Sequence, residues 1–195
     1  SAYLLLKPGR IPYINRNLYY FAGKDVWKTL FDLEAMRPGM VLLSAQAPDG
    51  DPAWCDVVTL MTPVATRPWK AWEGSAPGRR PEAYTALKAA MTQATVDFAC
   101  ARLPELRDAI AHTYAATPLT YRHYTGAPHG AAYGLLKDWR SIMASHIPAR
   151  TKFDNLLLTG QNLTVHGAIG VTLSAAATCS EIVGTEYLAK KIANA

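Results

Sequence analysis

The sequence predicts an α+β fold in which a mixed β-sheet carries packed helices on one side. Three observations lead to this class: the chain has 195 residues, 50% of them are apolar, and strand-like segments alternate with segments of helical spacing. A chain of this length can bury a sizeable core. Since only 18% of the residues are charged, the composition does not fit a disordered chain.

The first strands lie between residues 16 and 64. Residues 16–22 are aromatic and β-rich, and residues 24–34 place apolar side chains at helical spacing. A Pro-Gly pair opens a buried strand at 38–48, and the apolar segment 55–64 is a further strand ended by Pro63. These segments predict a sheet of three to five strands.

Helices are predicted in the middle of the chain. Residues 63–82 are rich in Pro, Gly, Arg and Trp and predict a long surface connection. Good helix formers fill 80–103, with Pro81 in the first turn, and Pro104 starts a second short helix. A β-branched and aromatic segment then leads into a turn at Thr117, and the glycines from 126 to 134 indicate loop.

The closing segment is the most informative. Three leucines in residues 155–160 predict a short strand buried on both faces, with Gly160 at its exit. Gly167 and Gly170 lie around the start of a closing helix over 168–193. The first amides of a helix lack intrahelical partners and the helix dipole is positive there, so this turn would favour a developing anion.

The closing segment also carries a resemblance to a known family. The stretch NLLLTGQNLTVHGAIGVTLSAAATCSEIVG, preceded by ATPLTYRHYTGAPHGAAYGL, resembles the C-terminal part of the phytoene desaturase and retinol saturase type of flavoproteins, within the amine-oxidase-like FAD family. LYYFAG and DGDPAWCDVVTLMTPV occur in similar order, so the resemblance covers nearly the whole chain. It implies FAD as cofactor and a long apolar polyene, carotenoid-like or retinoid-like, as substrate.

The same resemblance assigns a lobe and a cofactor site. Residues 1–150 would be a substrate-binding lobe, with Tyr133, Tyr124 and His123 near the substrate, and 151–195 would be the closing strand and helix of an FAD domain. Gln161 would meet the ribityl chain, and leucine at Gly170 is expected to block flavin while leaving the fold largely intact. The residues that the resemblance assigns to the cofactor are Gly160, Gln161, Asn162, His166, Gly167, Ala168, Ile169, Gly170 and Val171. No catalytic residue is assigned.

One departure from the family is large. The glycine fingerprint GxGxxG, which receives the pyrophosphate of a dinucleotide, is absent from residues 1–40. Two functions therefore remain open. The chain is either a fragment of an FAD-dependent oxidoreductase that desaturates, saturates or isomerises a polyene, or a non-catalytic apolar-ligand module without the cofactor. For a fragment we expect self-association or a partner chain that carries the dinucleotide-binding domain, and redox turnover by this chain alone is not expected.

Composition excludes other classes. The net charge of +5 comes from scattered side chains rather than a basic stripe with aromatics, so no nucleic-acid partner is predicted. The cysteines, Cys55, Cys100 and Cys179, are isolated in apolar surroundings and predict reduced core residues rather than a metal site. We expect a cytoplasmic protein, and the basic charge leaves contact with an anionic membrane surface open.

Overall fold

The computed structural model describes residues 1–31, 33, 37–50 and 52–194. They form two compact units, Ser1–Gly130 and Ala131–Ala195. The predicted division at residue 150 separates a substrate-binding lobe from a cofactor-binding segment by function, and it stays a prediction. The first unit contains the sheet, and the second is built from helices and loops.

The first unit confirms the α+β class. Its five strands lie in the order β2-β3-β4-β1-β5, and every pair that the described residues form is antiparallel. The strands at 18–21, 40–46 and 57–61 lie in segments that the sequence predicts to be β-rich, whereas the first strand is not predicted. The strand at 110–115 starts two residues before the predicted β-branched segment, in residues expected to belong to the short helix that begins at Pro104. The strands are β1 (Ala2–Leu6), β2 (Leu18–Phe21), β3 (Met40–Gln46), β4 (Val57–Met61) and β5 (Ile110–Ala115).

The helices of the first unit have the following bounds. The long helix falls where helix formers dominate, and Pro81 occupies its N-cap. The predicted helix over 24–34 is found as far as residue 31, and residues 32 and 34 of that segment lie outside the described residues. The helices are α1 (Val26–Phe31), α2 (Glu82–Cys100), α3 (Leu106–Ala109) and α4 (Pro118–Thr125), of which α4 is not predicted by the sequence.

The main core lies between one face of the sheet and α2. In β1, Leu4 is fully buried whereas Leu5 is 38% exposed, because successive side chains of a strand point to opposite faces. Val58 and Leu43 occupy the same buried face, and Ala99 of α2 packs into this cluster. The opposite face of the sheet is therefore left with half-buried and exposed side chains.

A second core corrects the prediction that residues 63–82 lie on the surface. Trp69, in the 3-10 helix Arg67–Trp72, is only 2% exposed. Its ring packs edge-on against Tyr84 of α2, with 5.6 Å between ring centroids. Pro and Gly identify this stretch as a connection, but its tryptophans bury it.

Thr117 fixes the start of α4. Its hydroxyl accepts a hydrogen bond from the Thr120 amide and also contacts the Tyr84 hydroxyl at 2.8 Å. We expect Thr117→Val to lower the free energy of unfolding by about 1 to 2 kcal/mol, because both bonds are lost from a buried site. Thr113→Val, at an exposed position of β5, is the control. Equal urea midpoints for the two variants would contradict the assignment.

In the described residues of the second unit, a 3-10 helix at Trp139–Ser141 is followed by the α-helices α5 (Ile142–Ser145), α6 (Gly167–Val183) and α7 (Thr185–Ala193). The single closing helix predicted over 168–193 is thus two helices, because Gly184 takes a φ of 86° that favours glycine and interrupts the helical ladder. The predicted burial of Cys179 is also wrong, because this thiol on α6 is exposed; Cys55 and Cys100 are buried as predicted.

The predicted strand at 155–160 does not form. Among the described residues Leu157 makes only an isolated bridge with Arg150. The Leu158 amide donates to the Ala149 carbonyl at 2.8 Å, and the Leu158 carbonyl accepts from the Thr178 hydroxyl of α6 at 2.7 Å. Backbone groups that a sheet would satisfy are here bonded to a loop and a helix.

No helix in the described part of the chain has the length and apolarity that crossing a bilayer requires.

Candidate functional site

A lysine holds the turn that precedes α6. The Lys137 ammonium donates to the carbonyls of Ser145 at 2.5 Å, Asn162 at 2.6 Å and Leu163 at 3.1 Å. Leu163 is buried, and its carbonyl also accepts from the Ile147 amide at 3.0 Å. Lys137 therefore ties residues 145–147 to the turn and fixes the path by which the chain enters the helix.

Asn162 has an internal role. Its side-chain oxygen accepts from the Leu135 amide at 2.8 Å. A Cβ added to Gly134 would lie 1.6 Å from the same oxygen, so glycine permits this close approach. Asn162 is one of the residues assigned to flavin by resemblance; the structure uses its side chain to join two loops.

The start of α6 presents the amides expected for an anion site. Among the described residues, no hydrogen-bond acceptor is found for the N–H groups of Gly167, Ala168 and Ile169. Gly167 has a φ of 80°, and a Cβ added to it would meet nothing within 4 Å. The first turn carries no acidic side chain. These amides are therefore open to an electron-rich group.

His166 occupies the N-cap of α6. Its ring is stacked on Tyr133 with 5.6 Å between centroids and 23° between planes. The Nε2 atom is buried and has no hydrogen-bond partner among the described residues, and the side chain does not cap the helix. A buried nitrogen without a partner costs free energy, so a group that bonds it would be stabilised there.

Gly170 is placed differently from the expectation. It is buried, and a Cβ on it would lie 2.1 Å from the Val165 carbonyl oxygen. The expectation that leucine here leaves the fold largely intact is therefore wrong, because any side chain meets the backbone of the preceding loop. Gly170 is needed for packing, and the remaining positions at this end of α6 are more open. Ile169 is 79% exposed and Val171 is exposed.

Gly160 and Gln161 lie in the turn itself. Gly160 has a φ of 107°, and a Cβ added to it would meet nothing within 4 Å, so a ligand could approach its backbone. The side chain of Gln161 makes no hydrogen bond within the described residues. Both positions are compatible with the predicted contact with a ribityl chain, which stays a prediction.

One face of the sheet in the first unit carries apolar and aromatic side chains, and we call it the open face. It is the sheet face opposite α2, and cross-strand partners lie side by side on it. One row runs Tyr19, Leu42 and Met61, and a second contains Thr59, Tyr3 and Tyr114. Apolar and aromatic side chains thus cover much of this sheet face, and α4 reaches it at Tyr3 through Tyr121.

Tyr3 gives the open face a polar group near its centre. Burial, and next its hydrogen bond to Tyr121, raise the pKa of the Tyr3 phenol above its ordinary value. The phenol is therefore neutral at physiological pH. The open face accordingly combines apolar area with neutral hydroxyls and lacks a charged group in its two central rows.

Sequence reasoning did not find the open face. The feature that marks this face is the alternation of burial along β1, β3 and β4. Every second side chain is buried, and the side chains between them are mostly half-exposed. Of the residues predicted near a substrate, His123 and Tyr124 lie on α4, and Tyr133 lies in the second unit against His166.

The described residues contain no group of three or more His, Cys, Asp or Glu side chains placed to hold an ion.

Comparison with known proteins identifies the family of this chain. The chain is a homologue of part of the retinol saturases, which are oxidoreductases that act on retinoids, and the resemblance predicted from the sequence is confirmed. No protein-family model matches the sequence, and no solved structure matches it.

The particular relatives are all-trans-retinol 13,14-reductases. The protein of Homo sapiens is 29% identical over 143 residues, which cover 68% of this chain and 23% of the relative. The protein of Danio rerio is 30% identical over 118 residues, covering 59% and 19% respectively. A Danio rerio relative described as an inactive all-trans-retinol 13,14-reductase is 28% identical over 115 residues, covering 58% and 19%. The chain thus spans about a quarter or less of the length of these curated relatives.

Proposed function

We propose that this chain is the C-terminal, substrate-facing part of an FAD-dependent oxidoreductase that acts on an apolar polyene of the retinoid or carotenoid type. The observation that carries the proposal is its similarity to all-trans-retinol 13,14-reductases over 68% of its length. Two features of the structure support its two parts, the open face for the substrate and the start of α6 for the cofactor.

The open face supports an apolar substrate. Leu42 and Met61 offer apolar area, and Tyr19 and Tyr114 offer exposed aromatic rings. A conjugated chain has flat apolar faces that pack well against such side chains. The neutral phenol of Tyr3 would give one hydrogen bond to the single polar end of a retinoid.

The start of α6 supports a flavin. When bound, FAD supplies hydride transfer, and its reduction places negative charge on the pyrimidine side of the ring. The free amides of Gly167, Ala168 and Ile169 fit that charge, and the open space at Gly167 leaves room for a flat ring. His166 would add its unpartnered Nε2.

The same features limit what this chain can hold. Asn162 and Gly170 are engaged inside the second unit, so in this proposal they shape the turn rather than touch the ring. The pyrophosphate would bind to a dinucleotide-binding segment outside residues 1–195, since the sequence contains no GxGxxG at the start of a strand-helix unit. Flavin binding therefore requires that second segment.

The test is reconstitution with flavin. The chain is mixed with FAD and a separately produced polypeptide that carries the dinucleotide-binding region of a retinol 13,14-reductase, and retained flavin is measured by its visible absorbance after gel filtration. We expect flavin in a complex of both polypeptides. Ile169→Asp is expected to weaken retention about tenfold or more, because its carboxylate would occupy the free amides and repel the electron-rich edge of the ring.

Ile192→Asp is the matched control. Ile169 is 79% exposed and Ile192 is 62% exposed, and each lies on a helix of the second unit. Aspartate in the first turn of a helix does not destabilise it, so loss of flavin in the Ile169 variant would not reflect unfolding. Absence of flavin from every mixture, or equal losses in the two variants, would rule out this placement.

A non-catalytic module is the second candidate. One relative is described as an inactive all-trans-retinol 13,14-reductase, so this sequence type also occurs without activity. The open face belongs to the first unit and contains no group that depends on a cofactor. Binding of retinol by the chain alone, reported by the fluorescence of the ligand, together with failure of every flavin reconstitution, would favour this function.

A further inference from the structure

A basic pocket lies in the first unit between the start of α2 and helix α4. Its volume is about 330 Å³, within the range of small-ligand sites. Arg80 and Lys88 contribute from the α2 side, and Thr120, His123 and Tyr124 contribute from α4. None of the described residues that line it is acidic.

Arg80 is held in place but not neutralised. One of its guanidinium nitrogens donates to the Tyr84 hydroxyl, and another donates to the Leu119 carbonyl at 3.3 Å. The guanidinium also lies 4.5 Å from the centroid of the Tyr84 ring. Its Nε is buried without a hydrogen-bond partner in the described structure. All its identified contacts are to neutral groups, so the positive charge remains uncompensated.

Lys88 is the second uncompensated cation. It is half-buried, and its ammonium makes no hydrogen bond or ion pair with any described residue. Glu82, in the first turn of α2, does not line the pocket, and Glu73 is already paired with Arg122 at 3.1 Å. A partly buried cation without a carboxylate partner is stabilised when an anion joins it, and two such cations line this pocket.

We propose that this pocket binds a phosphate group, with Lys88 and Arg80 as its charge partners. A dianionic phosphate matches two cations, and the hydroxyls of Thr85 and Tyr124 line the same pocket and can donate to its oxygens. The pocket lies entirely within the first unit and does not depend on the proposed flavin site. The phosphate is either free in solution or the headgroup of an anionic phospholipid.

The test uses the full 195-residue chain and two probes. Titration calorimetry with inorganic phosphate measures the free anion, and sedimentation with phosphatidylcholine vesicles containing phosphatidic acid, against vesicles of phosphatidylcholine alone, measures the headgroup. Lys88→Gln is the main variant, because the ammonium supports no other group in the described structure. We expect it to weaken binding of at least one probe by about tenfold.

Arg79→Gln is the matched control. It removes the same charge from the neighbourhood of Arg80, but its exposed side chain does not line the pocket. His123→Gln is a second pocket variant, and we expect it to weaken binding as well. Saturable one-to-one binding that Lys88→Gln weakens and Arg79→Gln leaves unchanged supports the site, and the probe that responds identifies the source. Equal weakening by Lys88→Gln and Arg79→Gln, or no binding of either probe, overturns the proposal.

Discussion

Gly170→Ala is expected to lower the free energy of unfolding of the second unit by about 3 kcal/mol, the upper part of the range for overpacked sites. The new Cβ would lie 2.1 Å from the Val165 oxygen and 2.4 Å from its carbonyl carbon. These are backbone atoms, so they cannot rotate away as a flexible side chain could. The loop before α6 must move or the first turn of the helix must open.

The measurement is chemical unfolding followed by far-ultraviolet circular dichroism. Gly74→Ala is the control, because a Cβ there meets nothing within 4 Å and this glycine has no positive φ. A Gly170→Ala protein as stable as the Gly74→Ala protein would mean that the loop yields without cost. The packing role assigned to Gly170 would then be wrong.

Lys137→Met is expected to lower the free energy of local opening of the turn before α6 by about 2 to 3 kcal/mol. Hydrogen bonds to a charged donor contribute about 1.5 to 3 kcal/mol each, and partial exposure of this ammonium reduces their sum. Methionine keeps the aliphatic stem but leaves three carbonyls without their donor. The amide of Ile147, which donates to the Leu163 carbonyl, should then exchange with solvent faster.

Hydrogen exchange read by mass spectrometry or NMR tests this effect at the Ile147 amide. Lys152→Met is the control, since its ammonium lies 5.3 Å from the Phe153 ring and donates to no carbonyl among the described residues. Unchanged exchange in Lys137→Met would show that the turn keeps its shape without the lysine. The proposed flavin site would then be held by other contacts.

The local residue pattern predicts those elements whose own residues carry a clear strand or helix signal. The strands β3 and β4 are continuous apolar runs, and α2 has helix formers with proline at its start, so each could be predicted by itself. The strand over 155–160 has the same apolar signal but fails. A strand also needs a neighbour to bond its backbone, and no residue pattern in a single segment reveals whether that neighbour is present.

The position of the candidate site could be predicted from the sequence, but the hydrogen bonds and packing contacts within it could not. Two glycines and an apolar helix identify the start of α6, and its free amides follow from helix geometry. That Asn162 bonds Leu135, and that Gly170 abuts Val165, depend on how loops meet in space. The open face was missed because alternation within a strand indicates two faces without indicating which one a helix covers.

The place of β1 in the sheet has a consequence for how this protein comes to its native state. β1 lies between β4 and β5, so Ala2 pairs with Leu60 on one side and with Ala115 on the other. Both neighbours are made much later by the ribosome, and joining such distant residues requires a large loss of chain entropy before any contact compensates for it. Until those neighbours are in place the apolar side of β1 stays exposed, so we expect slow folding for this topology.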